Sequence, residues 1–224
     1  MRRQDATGFF HDYADDFAAI YSGGHSAWSR LINRKFRRSM LLRYQHSLKA
    51  CEPVAGKCIL DVGCGPGHYG VALAKAGARR VVGIDSAPAM IDRARAEAQR
   101  QGVSEHCEFV VGPWEGYRSE EKFDHVICMG FLEYLDRPAP AVAKVIACSS
   151  VSAVFSLPDR EGFLAWQRRL RYRFKTPLYM YSRDEVVALF EAVRGVAHFS
   201  VEQLDRDYFV TALPGEADCV NLAP

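Results

Sequence analysis

The chain has 224 residues, of which 49% are hydrophobic and 25% charged, and its formal net charge is +2. This length fits one α/β domain, and the apolar content suffices for a core without disulfides or metal staples. The near balance of 29 basic and 27 acidic residues gives no indication for or against a nucleic-acid partner. No run approaches the roughly 18 apolar residues that a membrane span needs, and the first residues do not form a secretory signal.

The cysteines are scattered along the chain and form no C-x-x-C pair, which is typical of buried thiols in a reducing compartment. We therefore expect a cytoplasmic protein with neither a disulfide framework nor a metal site. The seven cysteines are Cys51, Cys58, Cys64, Cys107, Cys128, Cys148 and Cys219.

Short β-branched runs alternate with helical patterns from Lys57 onward. This alternation indicates βαβ units and hence a parallel sheet with both faces covered by helices. The predicted strands are 57–62, 80–84, 106–111, 125–129 and 153–157, and the predicted helices between them are 69–76, 88–101 and 140–147. Ahead of this core, apolar residues four apart over 27–50 predict one further amphipathic helix.

The C-terminal part follows a different pattern. Predicted strands over 196–203 and 208–213 are separated by only four residues, a link that allows an antiparallel hairpin but no parallel crossover. The helix before them begins with a capping-box pattern at Ser182–Glu185. The sequence therefore predicts a parallel sheet that ends in an antiparallel hairpin.

The strongest chemical signal lies where the first predicted strand ends, at Asp61-Val62-Gly63-Cys64-Gly65-Pro66-Gly67. Glycines at alternate positions permit positive φ and a close approach of a ligand to the backbone at the carboxyl edge of the sheet. Asp61 is placed to hold a cationic amino group, directly or through water. Asp85 ends the second strand, where an acid accepts hydrogen bonds from ribose hydroxyls. Helix capping by Asp85, or equally by Ser86, is the alternative.

The same stretch also matches a dinucleotide fingerprint, G-x-G-x-x-G, over residues 65–70. That match predicts a nicotinamide or flavin enzyme with a pyrophosphate on the helix N-terminus. It leaves Asp61 and Gly63 unexplained, and the terminal hairpin does not belong to the repeating dinucleotide pattern.

The combination of Asp61-x-Gly63-x-Gly65-x-Gly67, then Asp85, then Phe123–Met129 resembles the class I S-adenosylmethionine-dependent methyltransferase family. The resemblance implies a Rossmann-like sheet of seven strands, mostly parallel with an antiparallel C-terminal hairpin, helices on both faces and an N-terminal helical lid. It also implies S-adenosylmethionine as the cofactor. The residues it assigns to cofactor binding are Asp61, Gly63, Cys64, Gly65, Gly67, Asp85, Ser86 and Met129.

The sequence departs from the family pattern after the third strand. Many members have an acid after the glycine equivalent to Gly112, where it contacts the adenine amino group, but here Pro113 occupies that position. Backbone groups and the Trp114 ring, or Glu115, are therefore the predicted adenine contacts. Ordinary packing of Trp114 in the core stays open as the alternative.

Methyl transfer from a sulfonium needs an in-line nucleophile, and a general base only when that nucleophile carries a proton. The candidates by motif position are Glu133 and Tyr134, after the fourth strand, and His68, at the start of the first helix of the core. Each has a structural alternative: a helix-start charge for Glu133, core packing for Tyr134 and solvation for His68.

We predict a single methyltransferase domain over 1–224, with an N-terminal helical lid at 1–52 and an acceptor-pocket insertion at 158–182. Tyr13 and Tyr21 suit a lid over the cofactor, and an ordinary packed helix is the alternative. Arginines at 168–173 in the insertion favour an acidic small-molecule acceptor, and nearby tyrosines an aromatic one, unless the charges form a solvated face. An RNA methyltransferase is the alternative, although no Asn/Asp-Pro-Pro-aromatic motif follows the fourth strand.

Overall fold

The computed structural model describes the backbone of residues 27–161 and 177–215, with side chains from residue 39 onward in these ranges. The lid tyrosines Tyr13 and Tyr21, the arginines at 168–173 and Cys219 lie outside the described residues or side chains. The helices are α1 Ala27–Ala50, α2 His68–Lys75, α3 Pro88–Arg100, α4 Pro138–Cys148 and α5 Arg183–Ala192. The strands are β1 Cys58–Val62, β2 Arg80–Asp85, β3 Cys107–Val111, β4 Phe123–Cys128, β5 Ser149–Pro158, β6 Val196–Leu204 and β7 Asp207–Pro214.

The strands form one seven-stranded sheet in the order β3-β2-β1-β4-β5-β7-β6. Strands β1 to β5 pair in parallel, whereas β7 pairs antiparallel with both β5 and β6. The predicted Rossmann-like sheet with its C-terminal hairpin is therefore confirmed. The order reverses between β1 and β4, and open α/β sheets bind ligands at such a point, beyond the carboxyl ends of the strands.

Helices cover both faces of the sheet. Successive side chains of each central strand point to opposite faces, so each strand contributes to the core on both sides. Leu60 of β1 belongs to a core cluster with α4 and α5, and Ile59 belongs to a second cluster with α2 and α3. The predicted capping box is present: Ser182 Oγ accepts a hydrogen bond from the N–H of Glu185, and the Glu185 carboxylate accepts one from the N–H of Ser182.

Among the described residues, no helix has the length and apolarity that crossing a bilayer requires. The six cysteines of the described ranges are free thiols, and Cys51, Cys58, Cys64 and Cys128 are buried.

Candidate active site

The loop between β1 and α2 turns on three glycines with positive φ: 68° at Gly63, 51° at Gly65 and 77° at Gly67. Its start is fixed to the neighbouring strand, because the N–H groups of Gly63 and Cys64 both donate to the carbonyl of Ile84. A Cβ at Gly63 would lie 2.9 Å from the Phe131 ring, whereas a Cβ at Gly65 would meet no atom within 4 Å. The loop is therefore packed at its ends and open at Gly65.

Asp85 joins this loop to the end of β2. Its Oδ2 accepts the N–H of Gly65 at 2.9 Å and its Oδ1 accepts the N–H of Ala87 at 2.8 Å. Burial raises the pKa of Asp85, and these two backbone donors act in the opposite direction. Each carboxylate oxygen has a second lone pair, so both can accept another hydrogen bond from a ligand. The alternative, helix capping by Asp85 or Ser86, is wrong: the N-cap of α3 is Ala87, and no side chain caps the helix.

Asp61 is the most unusual carboxylate of the site. It is 1% exposed, and its Oδ2 has no hydrogen-bond partner within the described ranges. Burial raises the pKa of Asp61 to about 7; the N–H of Gly70 lowers it, and the charge of Asp85 raises it further. A buried carboxylate oxygen without a donor is unfavourable, and an ammonium group would satisfy it. The residues present therefore fit the amino group of S-adenosylmethionine.

The segment after β4 lies at the same edge of the sheet. Gly130 has a φ of 69°, and its N–H donates to Ser156 Oγ at 2.9 Å. Met129 and Glu133 are buried, at 6% and 3% exposure, and the backbone N–H of Tyr179 donates to the Glu133 carbonyl at 2.8 Å. The chain that resumes after the undescribed part of the insertion thus runs directly beside this segment.

Arg43 of α1 reaches into this region, which the sequence reasoning missed. Its Nε donates to the Tyr69 hydroxyl at 3.3 Å and its Nη1 to Ser156 Oγ at 3.4 Å, with Asp207 Oδ2 at 3.8 Å from Nη1. Burial acts to lower the pKa of Arg43, but Tyr69, Asp207 and Glu133 together hold that pKa above its usual range. Arg43 Nη1 is also 3.7 Å from the point where a Cβ of Gly130 would lie. One helix outside the Rossmann core therefore places a buried cation beside the segment after β4.

Trp114 lies in a 3-10 turn, Trp114–Gly116, after β3. Its side chain is 3% exposed and belongs to the core cluster under α4, with Lys144 Nζ 4.3 Å from the ring centroid. These contacts favour packing, the alternative to adenine stacking. Before the turn, a Cβ at Gly112 would meet no atom within 4 Å, so the backbone at Gly112 is open to a ligand.

The three predicted catalytic residues do not all lie in the same part of the structure. Glu133 is buried beside Gly130, with its Oε1 3.9 Å from that glycine's Cβ position, and Tyr134 follows it in the 3-10 turn Leu132–Tyr134. His68 instead lines a cavity of about 460 Å³ between α1, α2 and α3, together with Glu97. None of the described residues lining that cavity belongs to the glycine loop or to the segment after β4. Burial lowers the pKa of His68, and Glu97 raises it.

Comparison with known proteins agrees with this arrangement. The family model described as "Methyltransferase domain" matches residues 59–152, from β1 into β5. This part of the chain is therefore similar to methyltransferase domains. The predicted resemblance is thereby confirmed, and the matched residues include Asp61, the glycine loop, Asp85 and Glu133.

Relatives and solved structures resemble different parts of the chain. A ribosomal protein L11 methyltransferase of Serratia proteamaculans is 51% identical over 55 residues, 25% of this chain and 19% of that protein. A ubiquinone biosynthesis O-methyltransferase of Hahella chejuensis is 38% identical over 97 residues, 43% of this chain and 39% of its own length. Magnesium protoporphyrin IX methyltransferase of Synechocystis, crystallised with bound S-adenosylhomocysteine, aligns with a TM-score of 0.76 and 18% identity over 93% of this chain and 98% of its own. The two sequence relatives therefore share less than half of their length with this chain, while the structural likeness confirms the fold across nearly all of it.

Proposed function

We propose that this protein is an S-adenosylmethionine-dependent methyltransferase that transfers a methyl group to an oxygen or nitrogen of a small-molecule acceptor. The observation that carries the proposal is the buried Asp61 Oδ2, which has no donor in the described ranges and lies at the carboxyl edge of the sheet. The family resemblance implies that the methionine end of the cofactor, which carries the amino group, lies beside Asp61. The dinucleotide fingerprint leaves a carboxylate at this position unexplained.

Each of these site residues contacts a different part of the cofactor. Asp61 holds the amino group, the open backbone at Gly65 allows close approach, and Asp85 accepts from the ribose hydroxyls. S-adenosylmethionine, when bound, would supply a methyl group on a positively charged sulfur. The acceptor atom would attack the methyl carbon in line, and the electron pair of the carbon–sulfur bond would stay on the sulfur. A proton on the acceptor atom, where there is one, needs a base.

The acceptor end of the site lies where α1, β4 and β5 meet. A Cβ at Gly130 would lie in ordinary van der Waals contact with both neighbours, 3.7 Å from Arg43 Nη1 and 3.9 Å from Glu133 Oε1, so the glycine leaves room for a methyl-sized group between them. Glu133 is the base that this arrangement favours over His68, which faces a separate cavity. Arg43 is suited to hydrogen-bond an oxygen of an acidic or phenolic acceptor. The ubiquinone biosynthesis relative, by its name an O-methyltransferase, supports an oxygen as the methylated atom.

Titration calorimetry with S-adenosylmethionine, S-adenosylhomocysteine and NADH tests the cofactor. We expect micromolar binding of the two adenosyl ligands and none of NADH. Asp85→Ala is expected to weaken that binding at least about tenfold, because each hydrogen bond to a charged group contributes roughly 1.5–3 kcal/mol. Asp124→Ala is the matched control, since Asp124 also accepts a backbone N–H, that of Cys58 at 2.8 Å, but at the opposite edge of the sheet. Binding of NADH alone, or of nothing, would contradict the proposal.

Cofactor affinity is expected to rise with pH up to about 7 and then to level off. The pKa of Asp61 is raised to about 7 in the free protein, so below that pH its carboxyl is largely protonated. An ammonium ligand binds the ionised form, so binding below pH 7 must release this proton, and affinity falls by up to about tenfold per pH unit. Calorimetry with S-adenosylhomocysteine between about pH 5.5 and 8 measures the slope of the logarithm of the affinity against pH. In Asp61→Asn the slope should disappear; an unchanged slope would show that another group is responsible.

A further inference from the structure

Lys144 of α4 is enclosed by the backbone of the segment that follows β3. Its Nζ donates to the carbonyl oxygens of Trp114 at 2.5 Å, Glu115 at 3.2 Å and Tyr117 at 2.7 Å. An ammonium group has three donors, so these carbonyls account for all of them. The same Nζ lies 4.3 Å from the centroid of the Trp114 ring, within the range of a cation–π contact.

These contacts fix the orientation of the segment Gly112–Tyr117. In a trans peptide the N–H of a residue points away from the preceding carbonyl. The carbonyls of Trp114, Glu115 and Tyr117 face α4, so the N–H groups that follow them point away from α4. The N–H of Gly116 is donated within the turn, to the Pro113 carbonyl at 3.1 Å, which leaves those of Glu115 and Arg118 for a ligand. Arg118 Nη1 also donates to the carbonyls of Glu115 and Tyr117, but Lys144 is the cation that holds the Trp114 carbonyl.

The other end of the segment is fixed to the ribose side of the site. The N–H of Gly112 donates to the carbonyl of Asp85 at 3.0 Å, and the carboxylate of the same residue holds the glycine loop. Pro113, which has no N–H, connects this anchor to the turn held by Lys144. The segment is thus held between Asp85 on one side and Lys144 on the other.

We propose that Lys144 is a positioning residue for adenine recognition, holding Gly112–Tyr117 so that the backbone of the segment meets the adenine ring. The inference rests on the proposed function and on the expectation, from the family resemblance, that adenine lies beside this segment. It follows from the chain's own departure from the family pattern: Pro113 supplies no carboxylate, so recognition depends on backbone groups whose direction must be set by other contacts. Lys144 touches neither the cofactor nor the reacting atoms, and acts only through the segment.

The test compares two ligands that differ only in the base, S-adenosylhomocysteine and S-inosylhomocysteine. The inosyl ligand has an oxygen in place of the adenine amino group and an N–H in place of the ring acceptor, so correctly placed backbone groups reject it. We expect wild-type protein to bind the adenosyl ligand at least about tenfold more tightly, the value of roughly one hydrogen bond. In Lys144→Met the ratio of the two dissociation constants should fall towards one. Lys144→Gln, which keeps two donors, should give an intermediate ratio.

Lys57→Met is the matched control, because Lys57 is a partly exposed lysine that pairs with Asp124 at 2.9 Å at the opposite edge of the sheet. The ratio of the two dissociation constants in this variant should equal that of wild type. If Lys144→Met weakens both ligands equally and keeps the ratio, Lys144 only stabilises the fold and the inference is overturned. A wild-type protein that binds both ligands equally well also overturns it. Binding of neither ligand by wild type would instead contradict the proposed function itself.

Discussion

Gly67→Ala is expected to lower the free energy of unfolding by about 3 kcal/mol or more, the combined effect of backbone strain and overpacking. Gly67 has a φ of 77°, which an L side chain rarely adopts, and a Cβ there would lie 2.8 Å from Ala94 Cβ and 3.2 Å from Ala94 Cα. Ala94 is a fully buried residue of α3, so the helix backbone itself would have to move. Urea denaturation followed by circular dichroism measures the change.

Gly65→Ala is the matched variant in the same loop. Gly65 also has a positive φ, of 51°, but no atom lies within 4 Å of its Cβ position. The substitution should therefore cost only about 1 kcal/mol of stability, from strain alone. Because the added methyl group would occupy the open space where we propose that the cofactor approaches, affinity for S-adenosylhomocysteine should fall strongly. Wild-type affinity in Gly65→Ala would show that the ligand does not pass over this residue, and equal stability losses in the two variants would contradict the packing argument.

The sheet was predictable because its signals are local. The β-branched strands, the capping box at Ser182 and the short link between β6 and β7 each depend on residues close together in the chain. Parallel strands bring their carboxyl ends to one edge, so Asp61, the glycine loop and Asp85 were expected to meet there, and they do. Strand β5 is longer than predicted, Ser149–Pro158, because it begins directly after α4 with serines that lack the β-branched pattern.

The surroundings of the site were not predictable in this way. Arg43 meets Ser156 and Asp207 across separations of more than a hundred residues, and each lies in a segment whose pattern indicated only packing or a turn. Lys144 lies in the predicted helix 140–147, and nothing in that pattern indicates the three carbonyls that the fold places around its ammonium group. Long polar side chains can reach several partners, and the choice among these partners depends on how helices dock onto the sheet. Periodicity along one segment does not contain that information.

Arg43→Met is expected to lower the free energy of unfolding by about 3 kcal/mol, at the lower end of the cost of breaking a buried ion pair. The side chains of Arg43 and Asp207 are 14% and 8% exposed, so the substitution leaves a largely buried carboxylate without this cation. The estimate is at the lower end because the two groups are 3.8 Å apart and Asp207 has further interactions. Methionine preserves much of the volume of the arginine stem, so the change reports mainly on the lost charge. Urea denaturation of wild type and variant gives the difference.

A double-mutant cycle with Asp207→Asn separates the charge interaction from packing. If the pair is coupled, the two substitutions together should cost at least about 1 kcal/mol less than the sum of the single effects. Arg80→Met is the control, because Arg80 pairs with Glu108 at a shorter distance, 2.7 Å, but with the two side chains 47% and 53% exposed. That exposed pair should contribute no more than about 1 kcal/mol. Burial, and not distance, then decides the strength of the interaction. Strict additivity of Arg43→Met and Asp207→Asn would instead mean that Arg43 is held by Tyr69 and Ser156, with Asp207 only a neighbour.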